Sequence, residues 1–351
     1  MTTIVDQEPV PAGPDLPAVP PAGDSAAPDH RRRKRLLLFL LLLLLAALML
    51  VAGWYLLFRK PISELPLPGV TSPAVPTYSF AFYGPTEPQG IAVTPAGDRI
   101  YVAESGADRA LMVFDAKGNL LKQSTPPGTQ ASGRTPVYVA VNPVTSEVYV
   151  SDRPGKVIDI YAADGSYLRQ FKPDASVKNW APLGLAFDAS GNLYVSDVAP
   201  DAQVVLKFDA TGKLLQTIGK DSAMSYPNGI SVDAAGRIVV ADGSNGRLLV
   251  FDPAGNRLGI VSRGTADGQL GMPRGTAIDD HGSVVVVDTT AHAVNFYSLD
   301  QGTGSPTFLG TVGTEGRQEG GLEYPTGAAA DAHGHVYVAD TRNDRIQVWS
   351  Y

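Results

Sequence analysis

The chain has 351 residues, no cysteine and a formal net charge of −7. The missing cysteine excludes disulfides, thiolate metal sites, a cysteine nucleophile and cysteine-linked lipid. From about residue 77 on, the acidic balance argues against nucleic acid and anionic headgroups as partners.

Residues 1–30 hold seven prolines, five acids and no lysine or arginine. Such a mixture cannot bury a core, so a disordered tail is expected there. Arg31 to Arg35 is a purely basic block, and Leu36 to Phe58 is a run of 23 residues without a charge. At 1.5 Å per residue that run reaches roughly 34 Å, enough for a ~30 Å hydrocarbon core. A cleaved signal would carry a shorter apolar run ending in a small-x-small site, which Gly53-Trp54-Tyr55 does not supply. Residues 31–58 therefore read as a basic block followed by one transmembrane signal anchor. Five positives precede the run, and only Arg59 and Lys60 follow it closely. This asymmetry predicts a cytoplasmic N-terminus and an extracytoplasmic remainder, single-pass in the cell membrane. Residues 59–76, with five prolines, read as a stiff, extended linker.

From residue 77 onward the chain repeats itself. Six segments begin at Pro88, Pro136, Pro182, Pro227, Pro273 and Pro325. Two of them read PLGLAFDASGNLYVSD and PNGISVDAAGRIVVAD. Each holds a short strand, a tight glycine turn and a second strand, and an alternating third strand such as RLLVFD follows. Asp-x-x-Gly hairpins (Asp115–Gly118, Asp209–Gly212, Asp252–Gly255) lead to a fourth strand, and blade five instead has a longer loop at Gln301–Thr307. Four strands at a period of 45–52 residues predict propeller blades. The last repeat ends at its third strand, Arg345–Trp349, so Tyr78–Tyr83 is expected to complete it and remove an exposed edge. The fold expected for 77–351 is all-β, a six-bladed propeller of four-stranded antiparallel blades closed by the N-terminal strand.

These repeats resemble the NHL family of β-propellers. The resemblance rests on the Pro-x-Gly strand, the Val-[Ala/Ser]-[Asp/Glu] strand end, and the lead-in Gly-x-Leu-x-x-Pro at Gly268–Pro273 and Gly320–Pro325. It covers nearly all of 77–351. Blade two departs most, with Tyr138 in place of the glycine.

Glu104, Asp152, Asp197, Asp242, Asp288 and Asp340 recur once per blade, as do Arg247 and Arg345 in two of them. Repetition marks them as architectural, each carboxylate binding backbone amides of an adjoining loop. The residues between the blade proline and its glycine differ from blade to blade: Gln89, Val137, Leu183, Asn228, Arg274 and Thr326. They should ring the channel mouth where the loops before the innermost strand meet those after the second. Trp180, Tyr226, Met272 and Tyr324, with Arg134, Arg153 and Arg342, are expected around the same rim, because aromatics and arginine dominate interface hot spots.

Two enzyme families resemble this architecture. The gluconolactonase and regucalcin-like resemblance implies a divalent metal (Ca²⁺ or Zn²⁺) held by Glu, Asn and Asp. Glu87 and Asn228 stand in similar places, but Arg274 occupies the position of the third, acidic ligand. Like charge beside the ion disfavours binding. The peptide-amidating lyase resemblance implies histidine-bound zinc, yet His281, His333 and His335 fall in turns on the opposite rim and only His292 lies on the functional side. Certain NHL propellers bind RNA through a basic face, and a net charge of −8 over 77–351 opposes that. The reading is a membrane-tethered module for binding, sensing or scaffolding a protein, peptide or glycan, with no catalytic residue and no cofactor. The alternative is a metal-dependent lactone hydrolase.

Overall fold

The computed structural model describes residues 38–47, 49 and 74–351. The chain separates into two units, Met1–Pro66 and Leu67–Tyr351. In the first unit, residues 38–47 are helical with exposed side chains. Among the described residues no helix is long and apolar enough to cross a membrane. The expected tail, the linker up to residue 73 and most of the expected anchor lie outside the described residues.

The second unit is built from six four-stranded antiparallel sheets. Strand β1 is Thr77–Tyr83. Blade one runs β2 (Pro88–Val93), β3 (Arg99–Glu104), β4 (Leu111–Asp115) and β5 (Leu120–Ser124). Blade two runs β6 (Pro136–Val141), β7 (Val148–Asp152), β8 (Val157–Tyr161) and β9 (Tyr167–Gln170). Blade three is β10 (Pro182–Phe187), β11 (Leu193–Asp197), β12 (Val204–Phe208) and β13 (Leu214–Ile218). Blade four is β14 (Pro227–Val232), β15 (Ile238–Asp242), β16 (Arg247–Phe251) and β17 (Arg257–Val261). Blade five is β18 (Pro273–Ile278), β19 (Val284–Asp288), β20 (Ala293–Leu299) and β21 (Pro306–Val312). A short parallel pair, β22 (Thr314–Glu315) with β23 (Gly321–Leu322), then pins the lead-in to blade six. Blade six is β24 (Ala328–Ala330), β25 (His335–Asp340) and β26 (Arg345–Ser350), with β1 as its outermost strand, as expected.

Closure is visible in the packing. The innermost strands β2, β6, β10, β14, β18 and β24 form a ring in which each touches the next and β24 returns to β2. Six apolar clusters fill the six gaps between blades. Alternation with both faces buried explains how: Leu193 and Val195 join the cluster facing blade two, while Tyr194 between them joins the one facing blade four. Strand period two delivers neighbouring residues to opposite faces.

The glycines of the innermost strands are dictated by that crowding. A Cβ at Gly184 would lie 1.9 Å from the Asn228 carbonyl oxygen, and one at Gly229 would lie 2.4 Å from that of Arg274. The same approach recurs at Gly90, Gly275 and Gly327, each against the next blade.

Candidate functional site

The once-per-blade carboxylates are architectural. Asp152, Asp197, Asp242 and Asp340 accept the backbone N–H of Thr135, Ala181, Ser225 and Glu323 at 2.7–2.8 Å. Asp288 accepts from Gly271 and Met272, and Glu104 from Asp108 and Arg109. All six thus fasten the loop that leads into their own blade, Glu104 through the Thr86 hydroxyl, and Glu104 also fastens the turn after its strand. None is more than 4% exposed.

The loops before the innermost strands do meet those after the second strands at one mouth of the channel. Two cavities lie there and share Arg274. One, of about 200 Å³, is lined by Glu87, Gln89, Arg274, Thr289, Tyr324, Thr326, Thr341 and Arg342. The other, of about 320 Å³, is lined by Arg153, Tyr226, Asn228, Gly243, Ser244, Met272 and Arg274. Three guanidinium groups therefore surround this mouth. Arg342 pairs with Glu87 at 3.3 Å, and Arg153 stands 5.8 Å from the centroid of the Tyr226 ring. Arg274 has no ion-pair partner among the described residues.

Of the residues singled out in the sequence, Gln89, Arg274 and Arg342 thus line the first cavity, and Arg153, Tyr226, Asn228 and Arg274 the second. Thr326 lines the mouth, but its hydroxyl is spent within the fold, donating to the Gln89 carbonyl at 2.8 Å and meeting Thr341 Oγ1 at 2.7 Å. Trp180 and Arg134 line neither cavity. Trp180 packs against Phe171 and Phe208 in the apolar cluster between blades two and three, because its loop folds down over that gap. Arg134 is 7% exposed, and its guanidinium donates to the carbonyls of Asp108, Arg109 and Thr129. It staples the blade-one turn to the loop before blade two.

Glu87 and Asn228, the pair considered for a metal, line separate cavities, and the Glu87 carboxylate faces the Arg342 guanidinium. The Asn228 amide donates to the Tyr226 carbonyl at 3.2 Å. Among the described residues, one group of potential ligands comes close together: Asp279, Asp280 and His281. They sit in the turn between β18 and β19, at the opposite end of the blade. His333 occupies the corresponding turn of blade six, and His335 opens the strand that follows it. His292, at the mouth side, is buried; its Nδ1 accepts the Tyr324 N–H at 3.2 Å and its ring lies edge-on to the tyrosine.

Tyr138 is the residue whose place sequence reasoning missed. In blade two it replaces the glycine that elsewhere touches the neighbouring backbone. Its phenol is shifted upward by burial, with Arg274 pulling it down and Tyr226 pushing it up. The tyrosine thus shares its surroundings with the charged mouth. The available signal was the replacement itself: a large side chain at a ring position must find room beside the next blade, and Tyr138 packs against the apolar cluster between blades two and three.

The NHL repeat family matches residues 224–251 and 322–349, which are parts of blades four and six. A probable peptidyl-alpha-hydroxyglycine alpha-amidating lyase of Caenorhabditis elegans is 28% identical over 227 residues, covering 58% of this chain and 61% of the relative. The Drosophila melanogaster protein brain tumor is 26% identical over 163 residues, covering 45% of this chain and 15% of that protein. The chain thus spans less than two thirds of these relatives' own lengths. Among solved structures, a streptogramin B lyase superposes with a TM-score of 0.56 at 13% identity, over 80% of this chain and 99% of that one. At that identity the likeness is one of fold. Repeat pattern and blade order agree that residues 77–351 form a six-bladed β-propeller, two segments of which, 224–251 and 322–349, match the NHL repeat.

Proposed function

We propose that this chain is a ligand-binding propeller whose channel mouth captures a carboxylate group of a protein, peptide or glycan. The observation that carries the reading is the convergence of Arg153, Arg274 and Arg342 on two cavities that share Arg274, with Tyr226 and Tyr324 in their walls. Guanidinium groups bind carboxylates through paired, charge-assisted hydrogen bonds. Aromatic walls add contact area at low entropic cost. The net negative charge of the domain makes a local positive mouth selective, since an anionic ligand is attracted only there. The worm relative is named for a peptidyl-hydroxyglycine, and this supports a peptide end as the ligand.

In this proposal the charge-free run from Leu36 to Phe58, preceded by five basic residues, anchors the chain in the cell membrane and displays the propeller outside the cytoplasm. The mouth then meets envelope or extracellular partners and no nucleic acid.

The test uses the detergent-solubilised full chain on an array of peptides with free C-terminal carboxylates, their amidated twins, and uronic-acid glycans. Binding should favour the free carboxylates and fall at least tenfold in Arg274→Ala. Equal binding of amidated and free peptides, or binding indifferent to Arg274→Ala, would discard the reading. Protease digestion of intact cells, which should remove the propeller and spare the N-terminus, tests the topology separately.

A further inference from the structure

Blades four and six carry an arginine at the first position of the third strand, and blade five does not. In blade six, Arg345 donates from Nε to Asp340 Oδ2 at 2.8 Å, and its terminal nitrogens donate to the carbonyls of Arg317, Gln318 and Gly321 in the lead-in loop. In blade four, Arg247 donates to Asp242 Oδ2 at 2.6 Å and to the Ser222 and Ala223 carbonyls of its own lead-in. In both, one guanidinium fills the space enclosed by the blade carboxylate and the loop above it.

Blade five keeps the enclosure and lacks the occupant. Ala293 pairs with Asp288 as Arg345 pairs with Asp340. The two lead-in loops fold alike: Gly264 N–H donates to the Leu270 carbonyl as Gly316 does to Leu322, and Gln269 N–H donates to Ala266 as Gly321 does to Gln318. Thr265, Ala266 and Gln269 hence stand where the three residues whose carbonyls accept from Arg345 stand in blade six. Beneath them lies a cavity of about 510 Å³ lined by this loop, Asp288, Ala293 and Asn295, with Asp267 and Glu315 at its edge and no lysine or arginine. Asp288 is 1% exposed; its Oδ1 receives hydrogen bonds from Met272, Thr290 and Ala291, and its Oδ2, the oxygen equivalent to the one that meets Arg345 in blade six, receives one, from Gly271. Asp340 Oδ2 receives three, from Asn343, Arg345 and Gln347. Asn295, at the place of Gln347, is one methylene shorter and its amide oxygen accepts from Thr311 instead.

Two of the three other blades without this arginine close the space differently. Val204 in blade three packs with Trp180 in an apolar cluster. Before blade two, Arg134 threads the loop carbonyls.

We propose that the blade-five enclosure is a binding site for a guanidinium group supplied from outside the chain, either free arginine or an arginine side chain of a partner protein. A buried carboxylate facing a polar cavity gains from a cation that also satisfies the carbonyls around it. The planar fork with five donors fits that arrangement, as Arg345 demonstrates in the neighbouring blade. Citrulline has the same shape without the charge. Lysine has the charge without the fork.

The experiment is calorimetric titration of the full chain with N-acetyl-arginine amide, its citrulline and lysine counterparts, free arginine, and a peptide carrying one internal arginine. The arginine amide should bind saturably and at least tenfold more tightly than the citrulline and lysine compounds. Tighter binding of the peptide than of free arginine assigns the site to a partner protein, and the reverse order assigns it to the amino acid. Ala293→Arg supplies the missing group internally, so it should abolish binding and raise the melting temperature by a few degrees. Asp288→Asn should weaken binding, and if it fails to fold, Ala293→Arg still decides. Citrulline binding as well as arginine, no saturable heat with any arginine compound, or undiminished binding to Ala293→Arg would overturn the proposal.

Discussion

Arg345 and Asp340 form an ion pair at 2.8 Å whose side chains are 3% and 0% exposed, whereas the equivalent Arg247, paired with Asp242 at 2.6 Å, is 21% exposed. The same repeat position thus carries one pair sealed from water and one that solvent reaches.

The difference has a measurable consequence. Removing one partner of a sealed pair strands a buried charge, at a cost of roughly 3–5 kcal/mol. Arg345→Ala should lose stability in that range by urea unfolding, and Arg247→Ala should lose about half as much because water can solvate Asp242. Adding Asp340→Asn to Arg345→Ala should recover part of the loss by removing the stranded charge. Equal losses in the two single variants would refute the assignment.

Asp159 should make the propeller less stable as pH rises. It lies in β8, 4% exposed, with Oδ1 lacking any hydrogen-bond partner. Burial pushes its carboxyl up to about 6, opposed by Gln170 and Arg134 and reinforced by Asp152. An unfolded aspartate titrates near ~3.9. The folded state therefore favours the protonated form. Its contribution is full below pH ~4 and is lost as pH rises through about 6. Asp159→Asn should flatten this dependence and gain on the order of 2 kcal/mol at pH 7.5. A variant less stable than the parent at that pH would contradict it.

Gly184 tests the ring of innermost strands. A Cβ there lies 1.9 Å from the Asn228 carbonyl oxygen, whereas one at Gly133 meets nothing within 4 Å. Backbone cannot step aside without moving a blade, so Gly184→Ala should cost about 1–3 kcal/mol or more. Gly133→Ala should stay within about 0.5 kcal/mol of the parent. Matched melting temperatures for the two variants would show that the blades do not meet as closely as described.

Much of this architecture is legible in the order of residues, because a blade is a local object. The six Pro-led repeats, their glycine turns and the alternation in Leu193-Tyr194-Val195 each act within a few residues. Closure by β1 was readable as well, since a repeat ending at Trp349 without a fourth strand requires one from elsewhere. The fates of Trp180 and Arg134 were not readable. Both sit in lead-in loops, and whether a loop residue faces the mouth or the gap beneath it depends on how the loop folds over the next blade. Tyr138 was visible as a departure from the repeat, but its company with Arg274 and Tyr226 joins residues far apart in sequence.

The sequence by itself determined the number of blades, their strand order and the recurring carboxylates, because hydrophobic period, turn chemistry and repetition are properties of neighbouring residues. Tertiary structure alone decided which arginines surround the mouth and which are consumed as staples. Those outcomes follow from the distances between loops of different blades, and only closing the ring sets those distances.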